Sequence, residues 1–152
     1  MIVYRLTKLK YKSELSGIGA ELHGGRWNSK GKRVIYSSQS RALSTTEIAV
    51  HTPLGIVPID YFLQTIKLPS AKMVEIDEAE LDSKWKSFPH HRSTKKIGDK
   101  FIEENKLLIL KTPSAVIQGD YNFLINPNHK SFSKVELIGV EKYEFDKRLF
   151  LR

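Results

Sequence analysis

The sequence predicts an α+β fold in a single domain, and three observations support this class. Strand-like patterns occur along the whole 152-residue chain, a few helix-like stretches lie between them, and the two do not alternate regularly as in a doubly wound sheet. The hydrophobic fraction of 40% is sufficient for a core. No repeat or Pro/Gly/Ser-rich linker divides the chain. We therefore expect one domain over residues 1–152, with mixed β-structure flanked by a few helices.

The first half of the chain contains three predicted strands and one predicted helix. Strands are indicated by period-two alternation or by short apolar runs rich in β-branched and aromatic residues. A helix is predicted where Ser40 is a suitable N-cap and Pro53 ends the helical pattern. The predicted strands begin with Ile2, Tyr4 and Leu6 and continue at 34–38 and 59–68, and the helix covers RALSTTEIAVH at 41–51.

The second half contains two predicted helices and further strand-like segments. In the longer helix, Ile97, Phe101 and Ile102 form one apolar stripe that Gly98 interrupts. Pro113 marks a bend or a sheet edge between two strand-like runs. The predicted helices are 77–85 and 94–105, the strand-like runs are 107–111 and 114–117, and 135–146 is expected to form one or two strands.

Composition limits the cellular setting and the partners. The chain has no cysteine, which excludes disulfides and thiolate chemistry and suits a reducing compartment. No stretch approaches the roughly 18 apolar residues of a membrane span, and the start lacks a signal-peptide pattern. We therefore expect a cytoplasmic protein without membrane contact. The net charge of +8 suits a polyanion or an anionic substrate, but the basic residues are scattered, so a solvated basic surface is favoured over a nucleic-acid groove.

Glu47 lies within the apolar stripe of the helix predicted at 41–51. At about 100° per residue it falls between Leu43 and Val50, with His51 one turn further along. A buried carboxylate is costly unless it is paired, and in a cleft beside basic and aromatic groups it is a candidate functional residue. The helix alone leaves two interpretations open: a working carboxylate, or an ordinary glutamate on an exposed side.

The segment HGGRWN at 23–28 combines backbone freedom with a cationic side chain. Gly24 and Gly25 permit positive φ or a close approach to a ligand, and Arg26 presents a planar fork of donors suited to phosphate or carboxylate. The spacing is not that of a Walker phosphate loop. A tight turn with a surface arginine is the alternative. From its type and position, Trp27 is expected in the core.

For two residues with hydroxyl groups, the question is again whether the side chain has a structural role or contacts a ligand. Tyr36 ends an apolar run, so it is either a half-buried strand tyrosine whose hydroxyl reaches water or a ring stacked on a planar ligand. Ser114 follows a proline and is expected to be a turn or capping serine, since no G-x-S-x-G surrounds it.

Asn126 begins a run of residues that favour a turn. His90 and His91 lack acidic or cysteine partners at a metal-binding spacing, so we predict a surface loop and no metal.

Taken together, these segments resemble the RES domain family, which is named for an arginine, a glutamate and a serine. Four stretches carry the resemblance, in the family's order and over nearly the whole chain. They are GGRWNSKGKRVIYSS, RALSTTEIAVH, IGDKFIEENKLLILKTPSAVIQGDYNFLINPNH and YEFDKRLF. The resemblance implies a compact fold like that of ADP-ribosyltransferases and a toxin of a bacterial toxin–antitoxin pair. The implied partner is an antitoxin of the Xre helix-turn-helix type, which would provide any contact with DNA.

The resemblance also implies an activity on NAD, with no cofactor beyond NAD as the substrate. Family members break the nicotinamide–ribose bond and pass the ADP-ribosyl part to water, phosphate or a protein. A carboxylate would stabilise the oxocarbenium-like sugar, an arginine would hold phosphate or ribose, a tyrosine would pack on nicotinamide, and a serine would bind the amide or the ribose. The implied catalytic residues are Arg26, Tyr36, Glu47 and Ser114, and the implied substrate-binding residues are Gly25, Trp27, His51 and Asn126.

Other classes of function remain open at this stage. A ribonuclease toxin would be small and basic, with His23, His51 and His129 available as acid and base, but no spacing brings two of them together. A binding module that kept the fold without the activity is a second alternative. Modification of a host protein, rather than depletion of NAD by hydrolysis or phosphorolysis, is a third.

Overall fold

A seven-stranded mixed sheet forms the centre of the computed structural model, which describes residues 1–151. The strand order is β4-β5-β6-β2-β1-β3-β7. Only the β4–β5 pair is parallel among the strand pairs of the described chain. The strands are β1 (Ile2–Lys8), β2 (Ile35–Ser38), β3 (Tyr61–Lys67), β4 (Met73–Glu75), β5 (Ile109–Pro113), β6 (Tyr121–Ile125) and β7 (Glu136–Tyr143), and the helices are α1 (Ile18–His23), α2 (Arg41–His51) and α3 (Arg92–Glu104).

The α+β prediction is confirmed, and most predicted elements form close to their expected positions. Ser40 caps α2, since its side chain accepts a hydrogen bond from the backbone N–H of Leu43 at 3.0 Å. Residues 135–146 form one strand, β7, and not two. The patterns did not predict α1, β4 or β6, which are short elements of three to six residues.

Two predictions are wrong, and both fail where side chains bond to nearby backbone. Residues 77–85 form a three-residue 3₁₀ turn and not a helix, because the carboxylates of Asp77 and Asp82 accept from the N–H groups of Ala79 and Lys84. Residues 114–117 form a turn and not a strand. The Ser114 hydroxyl accepts from two backbone N–H groups there and turns the chain.

Both long helices pack on the same face of the sheet. The inner side of α2 joins Leu6 and Leu63 of the central strands, together with Phe145 and Phe150. The apolar stripe of α3 packs on Leu110 and Leu124 of β5 and β6, together with two tryptophans. The opposite face carries a third cluster around Val3, Ile35 and Ile109. The space on the helix side, between the α2 cluster and the α3 cluster, contains the cavity described below.

The sheet is weakly joined at its centre. β1 pairs with β3 over seven positions, whereas β1 and β2 share a single register pair, Tyr4 with Ser38. We call this junction the seam. It divides the sheet into one half with β4, β5, β6 and β2 and another half with β1, β3 and β7.

Candidate active site

A cavity of about 1030 Å³ lies over the seam. Strands β1 and β2 contribute its floor, and α2, the segment 24–27 and the segment 85–90 contribute its sides. Six of the eight site residues predicted from the sequence line it: Gly25, Arg26, Trp27, Tyr36, Glu47 and His51. A volume of this size lies at the upper end of the range for pockets that take small molecules.

Glu47 is half-buried on α2 and is oriented through one of its two oxygens. Ser114 Oγ donates a hydrogen bond to Glu47 Oε1 at 3.1 Å, and Asn122 Nδ2 donates to the same atom at 2.7 Å. Within residues 1–151 no hydrogen bond engages Oε2. The carboxylate is therefore held in place through Oε1 and lines the cavity, and its part in catalysis stays a prediction.

Ser114 supports Glu47 from beneath and is only 2% exposed. Its hydroxyl donates to Glu47 and accepts from the N–H groups of Val116 and Ile117 at 3.0 and 3.1 Å. The donor and both acceptor positions of the hydroxyl are thus used inside the protein. In the structure Ser114 orients Glu47, and the contact with ribose or nicotinamide that the resemblance implied stays a prediction.

Asn122 is a site residue that the sequence reasoning missed. It lies on β6, lines the cavity, and receives a hydrogen bond from Ser38 Oγ at 2.8 Å while it donates to Glu47. The chain Ser38–Asn122–Glu47–Ser114 fixes the carboxylate from two strands and a turn. A period-two reading of YNFLI would have placed Asn122 on the same face as Leu124, which packs beneath α3.

Arg26 reaches across to the segment 85–90. Its Nη1 donates to the carbonyl oxygen of Trp85 at 2.6 Å and to that of Ser87 at 3.1 Å. Partial burial lowers the pKa of Arg26 from its ordinary value, and the negative charge of Glu47 acts in the opposite direction. The guanidinium stays charged and offers Nη2 and Nε to the cavity, so Arg26 both fixes a loop and presents donors for an anion.

Tyr36 presents its ring to the cavity while its hydroxyl is bound inside the protein. The hydroxyl accepts from the backbone N–H of Trp27 at 3.0 Å and donates to Asn28 Oδ1 at 2.7 Å. Burial is the main cause that raises the pKa of Tyr36 well above its ordinary value. Of the two alternatives for Tyr36, the one in which its hydroxyl reaches water does not hold, because the phenol ties the segment 24–28 to β2.

Close contacts around Gly25 and Trp27 restrict which residues the segment 24–27 can carry. A Cβ on Gly25 would lie 2.7 Å from the Tyr36 hydroxyl oxygen, so glycine permits close approach to a protein group. Trp27 is 2% exposed and packs in the α3 cluster, as expected from its type, while part of it also lines the cavity. Its carbonyl rests against Gly98, where a Cβ would lie within 1.6 Å of the oxygen. Gly98 is therefore required for packing.

Three aromatic rings meet at the α2 end of the cavity. The ring centroids of His51 and His90 are 6.2 Å apart, and Phe88 lies 6.3 Å from His51 and 5.4 Å from His90. His90 lies in a partly exposed loop, as predicted, and it also lines the cavity. Burial, followed by the positive charges of Arg26, His51 and Lys95, lowers the pKa of His90 to about 4.

Asn126 is not brought into this site. It is fully buried beyond the end of β6, where its amide donates to Asn105 Oδ1 at 3.0 Å and its side-chain oxygen accepts from the N–H of Asn128. Its contacts hold the end of α3 against the turn after β6. Asn122, and not Asn126, is the asparagine of this segment that contacts Glu47 and lines the cavity.

Arg5 adds a second cation to the lining of the cavity. Its Nη1 donates to Gln64 Oε1 at 3.0 Å, and Gln64 is itself fully buried. Burial lowers the pKa of Arg5. Among residues 1–151 no cluster of three His, Asp or Glu side chains could hold a metal ion, and no helix is long and apolar enough to cross a membrane.

Comparison with known proteins places these observations in a family. A sequence model of the RES domain matches residues 2–147. A relative named Toxin Res from Yersinia enterocolitica is 32% identical over 151 residues, which cover 98% of this chain and 99% of the relative. A relative named Prs ADP-ribosylating toxin from a Sphingobium strain is 31% identical over 139 residues, which cover 90% of this chain and 86% of the relative.

A solved structure shares the fold. The crystal structure of the M. tuberculosis MbcT-MbcA toxin-antitoxin complex contains a chain that superposes with a TM-score of 0.74 at 18% identity. The superposition covers 98% of this chain and 86% of that chain. The family model and the two relatives extend over nearly the same residues as the sheet and the cavity described above. This chain belongs to the RES domain family.

Proposed function

We propose that this protein is the toxin of a toxin–antitoxin pair and that it cleaves the nicotinamide–ribose bond of NAD. The observation that carries the proposal is the geometry of Glu47, a carboxylate held through Oε1 by Ser114 and Asn122 with Oε2 left toward the cavity. The relatives named as toxins support the biological role. The name of the Sphingobium relative also supports a chemistry of ADP-ribosyl groups.

The bond to be broken joins the ribose C1′ to a positively charged nicotinamide nitrogen. The electron pair of this bond leaves with neutral nicotinamide, so the sugar becomes oxocarbenium-like and no strong general acid is required. A fixed carboxylate close to the ribose stabilises that developing charge and accepts a hydrogen bond from a ribose hydroxyl. Glu47 supplies this group without first having to reorient, because two donors already hold it.

Arg26 and Tyr36 would hold the two ends of the reacting half of the substrate. Arg26 keeps Nη2 and Nε for the diphosphate, while its Nη1 is bonded to loop carbonyls. The Tyr36 ring is the flat surface against which nicotinamide would pack. The acceptor completes the reaction: water gives ADP-ribose and a proton, phosphate gives the phosphorylated sugar, and a protein nucleophile gives an ADP-ribosylated protein.

Transfer to a protein is the second candidate, and one observation favours it. The Sphingobium relative is named as an ADP-ribosylating toxin at 31% identity. The bond cleavage is the same in both cases, and only the nucleophile that reaches C1′ differs. A ribonuclease has less support, because none of the named relatives points to RNA cleavage and, of the three histidines considered for it, His23 and His129 are absent from the cavity lining.

The proposed partner is an antitoxin of the Xre helix-turn-helix type, through which any contact with DNA would occur. The solved relative in fold is a chain of a toxin-antitoxin complex. Along the sequence the basic residues occur in small scattered groups without the interleaved aromatics of a stacking platform. We expect the isolated protein to give no sequence-specific shift of operator DNA, and a specific shift by this chain alone would contradict that arrangement.

The decisive experiment measures nicotinamide release from NAD by the purified protein, with and without phosphate and a cell lysate. Glu47→Gln is expected to reduce kcat on the order of a hundredfold to a thousandfold while leaving the circular dichroism spectrum unchanged. Glu141→Gln is the matched control, since Glu141 is an exposed glutamate paired with Arg41. The labelled product identifies the acceptor.

Two outcomes would count against the proposal. Equal rates for the wild type and Glu47→Gln would remove the role given to Glu47. A folded wild-type protein that leaves NAD intact under every condition, while degrading RNA, would favour the ribonuclease alternative.

A further inference from the structure

The cluster of His51, Phe88 and His90 has no task in the bond cleavage described above. Its three rings lie in contact with one another, and all three residues line the cavity. Phe88 is 76% exposed among the described residues, and such exposure is unusual for a large aromatic side chain. An exposed ring at the rim of a cavity is typical of a surface on which a planar ligand stacks.

His90 adds a polar edge to this apolar group. Its Nδ1 is buried and has no hydrogen-bond partner within residues 1–151. A buried polar atom without a partner is costly, and such atoms are commonly satisfied by a ligand at a functional site. Burial, followed by the nearby positive charges, lowers the pKa of His90, so the neutral imidazole has one ring nitrogen as donor and one as acceptor. A planar heterocycle with both donors and acceptors on its edge fits this arrangement.

The position of the cluster relative to Glu47 indicates which heterocycle this is. His51 follows Glu47 by one helical turn, about 6 Å along the axis, and Phe88 lies a further 6.3 Å across from His51. Arg26 lines the same cavity and donates to the carbonyl oxygens of Trp85 and Ser87, so its guanidinium lies beside the segment that carries Phe88 and His90. One cavity thus presents a carboxylate, a guanidinium and an aromatic cluster. In the dinucleotide the corresponding parts are the nicotinamide ribose, the diphosphate and the adenosine.

The volume of the cavity agrees with a complete dinucleotide. About 1030 Å³ is at the upper limit of pockets that bury a drug-sized molecule. The nicotinamide half alone would fill only part of a cavity of this size. A second planar group beyond the phosphates accounts for that part.

We propose that Phe88, His90 and His51 form the subsite for the adenine base, with the base stacked on Phe88 and its polar edge bonded to His90. This inference rests on the proposed function, because it places the far half of the same dinucleotide. Phe88 and His90 then determine specificity for the substrate and take no part in the bond cleavage. The segment 85–90, fixed by Arg26 through two carbonyls, positions both side chains.

A comparison of two substrates tests the subsite. Phe88→Ala is expected to lower kcat/KM for NAD about tenfold, as expected for the loss of one base stack, and to leave kcat/KM for nicotinamide mononucleotide within about twofold. Phe88→Trp should retain activity on NAD because it keeps an aromatic face. Ile59→Ala is the matched control, since Ile59 is 75% exposed and is absent from the cavity lining. An equal loss with both substrates, or no loss with NAD, would overturn the assignment.

A binding measurement keeps this inference separate from the proposed function. Titration with AMP requires no bond cleavage, so it reports on the subsite even if the protein leaves NAD intact. AMP is expected to bind the wild type and Glu47→Gln equally and to bind Phe88→Ala about tenfold more weakly. His90→Phe keeps a ring but removes the nitrogen, and should weaken AMP binding about fivefold. Failure of AMP to bind the wild type, or equal binding by Phe88→Ala, would refute the subsite.

Discussion

The two sides of the cavity are built in different ways. On one side, which we call the helix wall, Glu47 projects from α2 and is oriented by side chains at the ends of β5 and β6. On the other side, which we call the loop wall, the segments 24–27 and 85–90 have no regular structure and are held by Arg26 and Tyr36. The candidate functional residues of the loop wall are thus also its structural supports.

Because of this difference, substitutions in the two walls are expected to affect activity and stability differently. The helix wall keeps its shape through a capped helix packed on paired strands. Glu47→Gln keeps an acceptor oxygen for Ser114 and Asn122, so it should leave the fold intact. Removal of the Tyr36 hydroxyl or the Arg26 guanidinium leaves backbone groups of the loop wall without their partners. Substitutions in the loop wall are therefore expected to reduce stability and activity together, whereas those in the helix wall should reduce activity alone.

The largest expected effect comes from Gly98→Ala, which attacks the support of the loop wall. The new Cβ would lie within 1.6 Å of the Trp27 carbonyl oxygen, so α3 or the segment 24–27 must move. We expect a loss of about 3 kcal/mol of unfolding free energy, measured by urea titration with tryptophan fluorescence. Gly19→Ala is the control, because nothing lies within 4 Å of its Cβ and α1 should gain up to about 1 kcal/mol. Equal stability of Gly98→Ala and the wild type would show that the backbone around Trp27 moves to accept the new methyl group at little cost in free energy.

Tyr36→Phe should produce a smaller loss of stability in the same wall. The substitution keeps the ring that lines the cavity but removes the acceptor for the Trp27 N–H and the donor to Asn28 Oδ1. Thermal unfolding should show a loss of about 1–3 kcal/mol, together with a lower kcat/KM for NAD. A variant with unchanged stability and reduced activity would instead mean that the hydroxyl acts on the substrate, and the contrast between the walls would weaken.

Asn122→Ala tests the helix wall and has the smallest expected free-energy effect. Without the Asn122 amide, Glu47 keeps only the hydrogen bond from Ser114, so its carboxylate is less well oriented. We expect kcat to fall about tenfold with little change in KM, since a misplaced group acts on the reacting step. Asn126→Ala is the matched control, as it removes a buried amide remote from the cavity and should lower stability without lowering kcat. If Asn126→Ala lowered kcat and Asn122→Ala lowered only stability, the roles assigned to the two asparagines would be wrong.

Elements with a strong local signal could be predicted from the sequence. The helix 41–51 carries an N-cap and a following proline, and the strands 34–38 and 59–68 carry apolar runs, so each formed close to its predicted bounds. The segment 77–85 failed because its aspartates satisfy backbone N–H groups locally, which competes with a helix. Strand β4 has three residues and depends on pairing with β5, a long-range contact that no local pattern encodes.

The site could be predicted only in part, for a related reason. Glu47 and Arg26 stand out because a carboxylate in an apolar stripe and an arginine after two glycines are locally unusual. Asn122 becomes a site residue only when β6 pairs with β2 and brings its amide to Glu47, 75 positions earlier in the chain. His90 enters the cavity because Arg26 binds the preceding carbonyls, a contact across 59 to 61 positions.

The seam between β1 and β2 has a thermodynamic consequence. A single register pair joins the two halves of the sheet, and the cavity lies over that junction with lining residues from both strands. A molecule bound there contacts both halves at once and is released when they separate. By mass action, each tenfold excess of such a molecule over its dissociation constant suppresses opening of the junction by about 1.4 kcal/mol. Binding in the cavity is thus thermodynamically linked to the pairing of the two halves of the sheet. A bound molecule would stabilise the junction as a reversible crosslink does.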